Sequence, residues 1–197
     1  RGGPGFNFVE HPIVIDRGAA GGFNVAFEDL NRDGRLDIIC ATSLGLGWLE
    51  QPAEKDGVWT SHYMGSFDPD TLVGLEMADI NSAGWPDVMC GGYSRGPRDH
   101  DGDLPRDHPL GRISWYAHPG DPTLPWPRHD VSRRVRGMFD KFVARDLDND
   151  GDIDFAGTRG NSAPYDGVYW LEQTRNETPV ANFTPARDND SKEIPLP

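Results

Sequence analysis

The chain has 197 residues and a formal net charge of −13, from 32 Asp and Glu against 19 Lys and Arg. No apolar run approaches the roughly 20 residues of a membrane-spanning helix, and so acidic a chain is not expected to hold nucleic acid through its overall field. With 36% apolar residues, 24 Gly and 17 Pro, the composition excludes long helices, while six Trp supply area for a core of short strands.

Taken in chain order, the expected strands fall into repeats. Residues 1–16 read as the last strand of a preceding blade, with Phe8 three places before His11. Residues 17–66 hold four short strands, over 22–28, 37–42, 45–51 and 58–65, separated by Gly, Pro and Asp clusters. Between the first two lies Asp29-Leu30-Asn31-Arg32-Asp33-Gly34-Arg35-Leu36-Asp37, and Trp48, Trp59 and His62 follow. Residues 67–133 repeat the series with Asp79-Ile80-Asn81-Ser82-Ala83-Gly84-Trp85-Pro86-Asp87, an insertion at 94–111, then Trp115, Trp126 and His129. Residues 134–197 carry Asp146-Leu147-Asp148-Asn149-Asp150-Gly151-Asp152-Ile153-Asp154 and Trp170, then an irregular tail with no aromatic residue three places before a His. Trp48 to Trp59 and Trp115 to Trp126 both span 11 residues, and His62 to Asp79 and His129 to Asp146 both span 17. Chance does not hold such a register.

Four strands in about 50 residues is the size of one β-propeller blade. The reading is an all-β fold of blades of four antiparallel strands; a β-solenoid is the competing geometry, but its coils carry fewer strands. Three blades and a stray strand leave the ring incomplete, so the expected neighbours are the remaining blades of a longer chain.

The Asp-rich nonapeptide suggests metal. Side chains at positions 1, 3, 5 and 9 and the carbonyl at 7 can converge if the chain turns sharply, which Gly at 6 permits, and hard oxygen ligands suit Ca²⁺. In the third repeat these are Asp146, Asp148, Asp150, Asp154 and the Asp152 carbonyl; in the first, Asp29, Asn31, Asp33, Asp37 and the Arg35 carbonyl, with one carboxylate fewer. In the second, Ala83 removes one ligand, and Asp79, Asn81 and Asp87 are expected to form a weak or empty site. The competing reading is three metal-free turns whose Asp and Asn side chains bond nearby amides.

The pattern D-x-[DN]-x-D-G-x-x-D, an apolar strand, then Trp48-Leu49-Glu50-Gln51 or Trp115-Tyr116-Ala117-His118, and an aromatic residue three before a His, resembles the FG-GAP or VCBS repeat family. The resemblance runs from Phe8 to Arg175. It implies an integrin-α-like propeller, usually of about seven blades, of which this chain would be the C-terminal part.

Within a blade, the Asp-rich turns fall at one end and the other loops at the opposite end. Between 94 and 136 there are eight Arg and six Asp, reversing the sign of the chain locally. Arg95, Arg98, Arg133, Arg134, Arg136 and Arg159, with His108, form a candidate ligand face for an acidic polysaccharide or a protein partner. Pairing of these Arg with Asp99, Asp101, Asp103 and Asp130 is the alternative. His100, Asp101, Asp103, Asp107 and His108 match no catalytic spacing, and no nucleophile elbow, phosphate loop or cofactor fingerprint occurs.

Cys40 and Cys90 are too few for a disulfide framework. The first residue is Arg, without a charged-then-apolar leader, so the sequence reads as mature or truncated. The expected function is a calcium-stabilised binding or scaffold module, secreted, periplasmic or on the cell surface. The alternative is the propeller domain of a carbohydrate-active enzyme, resembling polysaccharide lyases or aldos-2-ulose dehydratase.

Overall fold

Among the described residues, the Gly, Pro and Asp clusters fall between strands. The computed structural model describes residues 5–68, 70–93, 113–132, 138–160 and 167–176. No helix occurs among them. Unit 1 is a four-stranded antiparallel sheet of β1 (Ala20–Glu28), β2 (Asp37–Thr42), β3 (Gly45–Glu50) and β4 (Thr60–Gly65), paired in that order and within two residues of the expected bounds. Unit 2 repeats it with β5 (Thr71–Ala78), β6 (Asp87–Tyr93), β7 (Ile113–Tyr116) and β8 (Arg128–Ser132). Unit 3 has β9 (Met138–Arg145), β10 (Asp154–Gly160) and β11 (Gly167–Leu171), and β11 ends its sheet among the described residues. A single pair, Tyr93 with Met138, joins units 2 and 3 into one curled sheet.

The strands are apolar on both faces because the core lies between units, not inside one. Ile39, Leu46 and Trp48 of unit 1 pack on Leu72, Leu75, Val88, Cys90 and Tyr116 of unit 2. The opposite face of unit 2, Met89 and Ile113 with Trp115, packs on Phe142, Ala144 and Phe155 of unit 3. Burial on both faces explains runs such as Ile38-Ile39-Cys40 where a half-exposed strand would alternate. Trp48 and Tyr116 are fully buried, and each removes roughly 150–250 Å² from water. These layers are compatible with propeller-like blades.

Strands β1, β5 and β9 lie side by side along the inner edge. There, the Asn24 amide donates to the carbonyls of Val73 at 2.7 Å and Asp140 at 2.8 Å, so one side chain ties all three units.

The recurring Trp and His are cross-strand partners. His62 stacks on Trp48 with ring centroids 4.2 Å apart, and His129 on Trp115 at 4.3 Å. His62 also meets Glu50 through Nε2 at 2.8 Å. Among residues 5–16, Ile15 makes the one strand-like contact, a parallel bridge to Trp59. Ile15 and Trp59 together cover Ile38, Cys40 and Leu49 on the outer face of unit 1.

Candidate metal centre

The three Asp-rich turns share one backbone. Position 4 is left-handed in each, with φ of 59° at Arg32, 59° at Ser82 and 65° at Asn149, and position 6 is a glycine at 85°, 80° and 95°. Two left-handed residues within three positions reverse the chain tightly, and only glycine adopts the second without cost.

Position 1 fixes this turn from inside. The Asp29 carboxylate accepts from the amides of Asp33 and Gly34, both at 2.9 Å, and Asp79 does the same for Ala83 and Gly84 at 2.9 Å. Asp146 accepts from Asn149 at 2.7 Å and Gly151 at 3.2 Å. Position 9 anchors the turn to the sheet. Asp37 accepts from Leu30 and Gln51, Asp154 from Leu147 and Gln173, and Asp87 from Ile80, Asn81 and His118. All three are fully buried. Burial pushes the Asp37 carboxyl up to about 6 against the pull of its two amide donors, and raises Asp87 for the same reason.

The side chains differ where the backbones do not. In the third turn, ligand oxygens of Asp146, Asp148 and Asp154 lie within 4.8 Å of one another, a cluster able to hold a metal ion. Asp150 stands apart from that cluster and accepts from the Asp152 amide at 3.1 Å. The Asp152 side chain is itself buried, 3.7 Å from Arg175 Nε, and its Oδ1 has no hydrogen-bond partner. Three converging carboxylates with a fourth two residues away are a hard-oxygen donor set that fits Ca²⁺.

The first turn contains its own cation. Arg35 pairs with Asp33 and donates from Nε to the Gln51 carbonyl at 2.9 Å, while Asn31 Nδ2 donates to Asp33 at 3.0 Å. Asp33 is thus partly neutralised by protein groups. The second turn, with Ala83 at position 5, is held from both sides by arginines of other units. Arg32 donates to the Gly84 carbonyl at 2.5 Å and lies 3.4 Å over the Trp85 ring; Arg175 donates to Ser82 Oγ at 2.8 Å. Sequence reasoning missed these contacts because each partner lies about 50 or more residues away.

It also missed the residue three places after each Trp. His118 stacks on Trp85 at 4.6 Å and directs Nε2 to the Leu30 carbonyl of unit 1 at 3.3 Å; Gln173 Nε2 donates to the equivalent Ile80 carbonyl of unit 2 at 3.0 Å. His118 Nδ1 accepts from the Gly120 amide at 2.9 Å, so the ring is the neutral Nε2–H form, in keeping with a pKa lowered by burial. Units 2 and 3 each latch the turn before them.

The opposite end of the strands holds a cavity of about 390 Å³ in unit 1, lined by Arg17, Thr42, Ser43, Leu44, His62 and Tyr63 among others. Of the expected ligand face, Arg95, Arg98, His108, Arg133, Arg134 and Arg136 lie outside the described residues. Arg159 is on β10 and only 8% exposed, with Tyr169 close enough to feel its charge.

Residues 29–90 match the FG-GAP-like repeat. The matched FG-GAP-like stretch contains the first two Asp-rich turns and runs from the start of the first to Cys90 on β6. No curated protein and no solved structure gives a significant match to the chain. No helix among the described residues is long and apolar enough to cross a membrane.

Proposed function

We propose that the chain is part of a calcium-stabilised propeller, a binding or scaffold module that takes its ligand at the end of the strands opposite the Asp-rich turns. The observation that carries the metal is the convergence of Asp146, Asp148 and Asp154. Bound calcium would offset the mutual repulsion of these carboxylates and lock the β9–β10 turn; it supplies structure, with no chemical step. Asp146, Asp148, Asp154 and Asp150 after a side-chain rotation would hold it, with the Asp152 carbonyl. The first turn binds more weakly because Arg35 competes for Asp33, and the second binds none. Sites of this kind fill where calcium is plentiful, which favours a secreted, periplasmic or cell-surface setting.

Support for the ligand end is the cavity beside Arg17, whose exposed guanidinium donates from Nε and Nη2 to the Ser61 carbonyl and would turn its remaining donors to a carboxylate of an acidic polysaccharide or a protein partner. Calorimetry tests the metal. With calcium at about 100 times its dissociation constant, the gain of about 2.7 kcal/mol raises the melting temperature by roughly 5–10 °C over EGTA. An unchanged melting temperature removes calcium from the proposal. Uronic polysaccharides, titrated with Arg17→Ala as control, test the ligand end: binding without unsaturated product supports a module, and turnover points instead to the carbohydrate-active enzyme.

A further inference from the structure

The third Asp-rich turn carries no cation of its own. Five of its nine residues are Asp, whereas the first turn holds Arg32 and Arg35 beside three Asp. Arg145, next to the third turn, gives Nη1 to the Ala144 carbonyl at 2.8 Å. Among the described residues, the ion pair that reaches this turn comes from Arg175, four residues beyond the end of β11, with Nε 3.7 Å from Asp152 Oδ2. The Asp152 side chain is only 8% exposed, and its Oδ1 has no hydrogen-bond partner. A carboxylate so buried draws on a cation in reach, because water does not screen it. The same guanidinium is tied to unit 2. Its Nη2 donates to Ser82 Oγ at 2.8 Å and stands 3.5 Å from the Ile80 carbonyl, which already accepts from Gln173 at 3.0 Å. Gln173 in turn gives its backbone amide to Asp154, one of the three clustered carboxylates, at 2.9 Å. Residues 173–175 therefore run from the acidic turn of unit 3 to positions 2 and 4 of the turn of unit 2. The other units have the latch without the arginine: two places after Gln51 stands Ala53, and two places after His118 stands Gly120. Arg175 goes with the acid-rich turn, not with the repeat.

We infer that Arg175 is the counter-charge of the third turn in the absence of calcium and that the ion displaces it, so that calcium occupancy sets how firmly Arg175 ties unit 3 to unit 2. This rests on the calcium reading of the turn and adds a regulation of the same site. The two cations draw on one set of carboxylates: calcium on Asp146, Asp148 and Asp154, and Arg175 on Asp152, which lies between Asp150 and Asp154 in sequence. Two positive charges at one turn repel. The divalent ion, held by several carboxylates, outweighs a guanidinium that is 48% exposed and paired with one of them. Linkage makes the effect reciprocal: whatever calcium takes from the pair of Arg175 with Asp152, Arg175 takes from calcium affinity. The turn thus exchanges a tie to its neighbour for a metal that locks its own strands.

Isothermal titration of the full chain with calcium chloride, in about 20 mM and about 500 mM KCl, tests the exchange. The heat belonging to the third turn is the part that Asp148→Asn removes. Arg175→Gln deletes the charge at similar length and should tighten that binding by about 3- to 10-fold at low salt, and by less than about twofold at high salt, where repulsion between the cations is screened. Arg175→Lys and Ser82→Ala keep the charge and should leave the affinity within about twofold of the parent chain. An arginine that merely held the turn in shape would give the opposite pattern, with Arg175→Gln weakening calcium binding at both salt concentrations and Arg175→Lys failing to restore it. Urea unfolding supplies the reciprocal readout: Arg175→Gln should lower the midpoint in EGTA and lower it less in saturating calcium. Affinity of Arg175→Gln equal to or weaker than that of the parent at low salt overturns the inference and leaves the calcium site standing. Absence of any heat that Asp148→Asn removes overturns the metal reading, and this inference with it.

Discussion

Asp87 offers the sharpest test of what the Asp-rich turns do, because its turn has only one other carboxylate, that of Asp79. The carboxylate is fully buried and accepts from three amides, Ile80 at 2.9 Å, Asn81 at 3.2 Å and His118 at 2.8 Å. Asp87→Ala removes all three acceptors. Ile80 keeps a second one, the Ala78 carbonyl at 3.0 Å, so the His118 amide is left unpaired in a buried site and the Asn81 amide in a part-buried one. At about 1–3 kcal/mol for each, the expected loss is roughly 3–5 kcal/mol. Asp87→Asn keeps one acceptor oxygen and escapes the desolvation of a buried charge, so about 1–2 kcal/mol should be lost. Urea unfolding in EGTA and in calcium measures both variants, and the two conditions should agree. A loss under about 1 kcal/mol for Asp87→Ala, or a loss that appears only with calcium, would refute the view of this residue as a backbone anchor.

Three further expectations concern other parts of the molecule. In EGTA the raised carboxyl of Asp37 binds its proton more tightly folded than unfolded, so this group contributes stability at low pH that is lost as pH rises from about 4 through about 6. The unfolding free energy from urea titration should fall by an amount on the order of 3 kcal/mol from this residue, and Asp37→Asn should flatten that slope. Gly91→Ala would place a Cβ 2.2 Å from the Phe139 carbonyl and 2.8 Å from Phe139 Cβ, forcing units 2 and 3 apart; thermal denaturation should show a loss of about 3 kcal/mol. Asn24→Ala removes both inter-unit bonds of that amide and should cost about 1–2 kcal/mol by the same measurement, without change in the fluorescence maximum.

Much of the fold was legible in the sequence because its signals are local and repeated. Gly34, Gly84 and Gly151 mark the tight turns, and the strand bounds of unit 1 follow from the Gly and Asp clusters beside them. The Trp residues read as area for a core of short strands, and Trp48 is fully buried in the layer between units 1 and 2. What escaped was the use of a residue by a distant one. Nothing near Arg32 in sequence says that its guanidinium will lie over Trp85, and nothing near Gln173 says that it will reach Ile80. Position 9 was legible as an oxygen donor but not as the acceptor for an amide 14 residues on in unit 1, or 31 residues on in unit 2. That contact spans a loop whose length varies with the insertion, so no fixed spacing encodes it.

The second turn also fixes the order of cause between metal and backbone. Ala83 deprives it of an oxygen at position 5, yet its φ values at positions 4 and 6 lie within about 5° of those in the first turn. The same amides are held by positions 1 and 9 in both. A conformation that survives loss of a ligand is set by hydrogen bonds and glycine, and a cation in the third turn then finds its oxygens nearly in place. Calcium binding there should leave the backbone of 146–154 almost unmoved and act mainly on the rotamers of Asp148 and Asp150. Amide exchange reads this difference. Protection of Asn149 and Gly151, which bond to Asp146, should persist in EGTA at a level set by the turn alone, with calcium adding no more than its own binding energy. If those two amides exchange freely until calcium is added, the metal folds the turn, and the second turn would need a separate explanation.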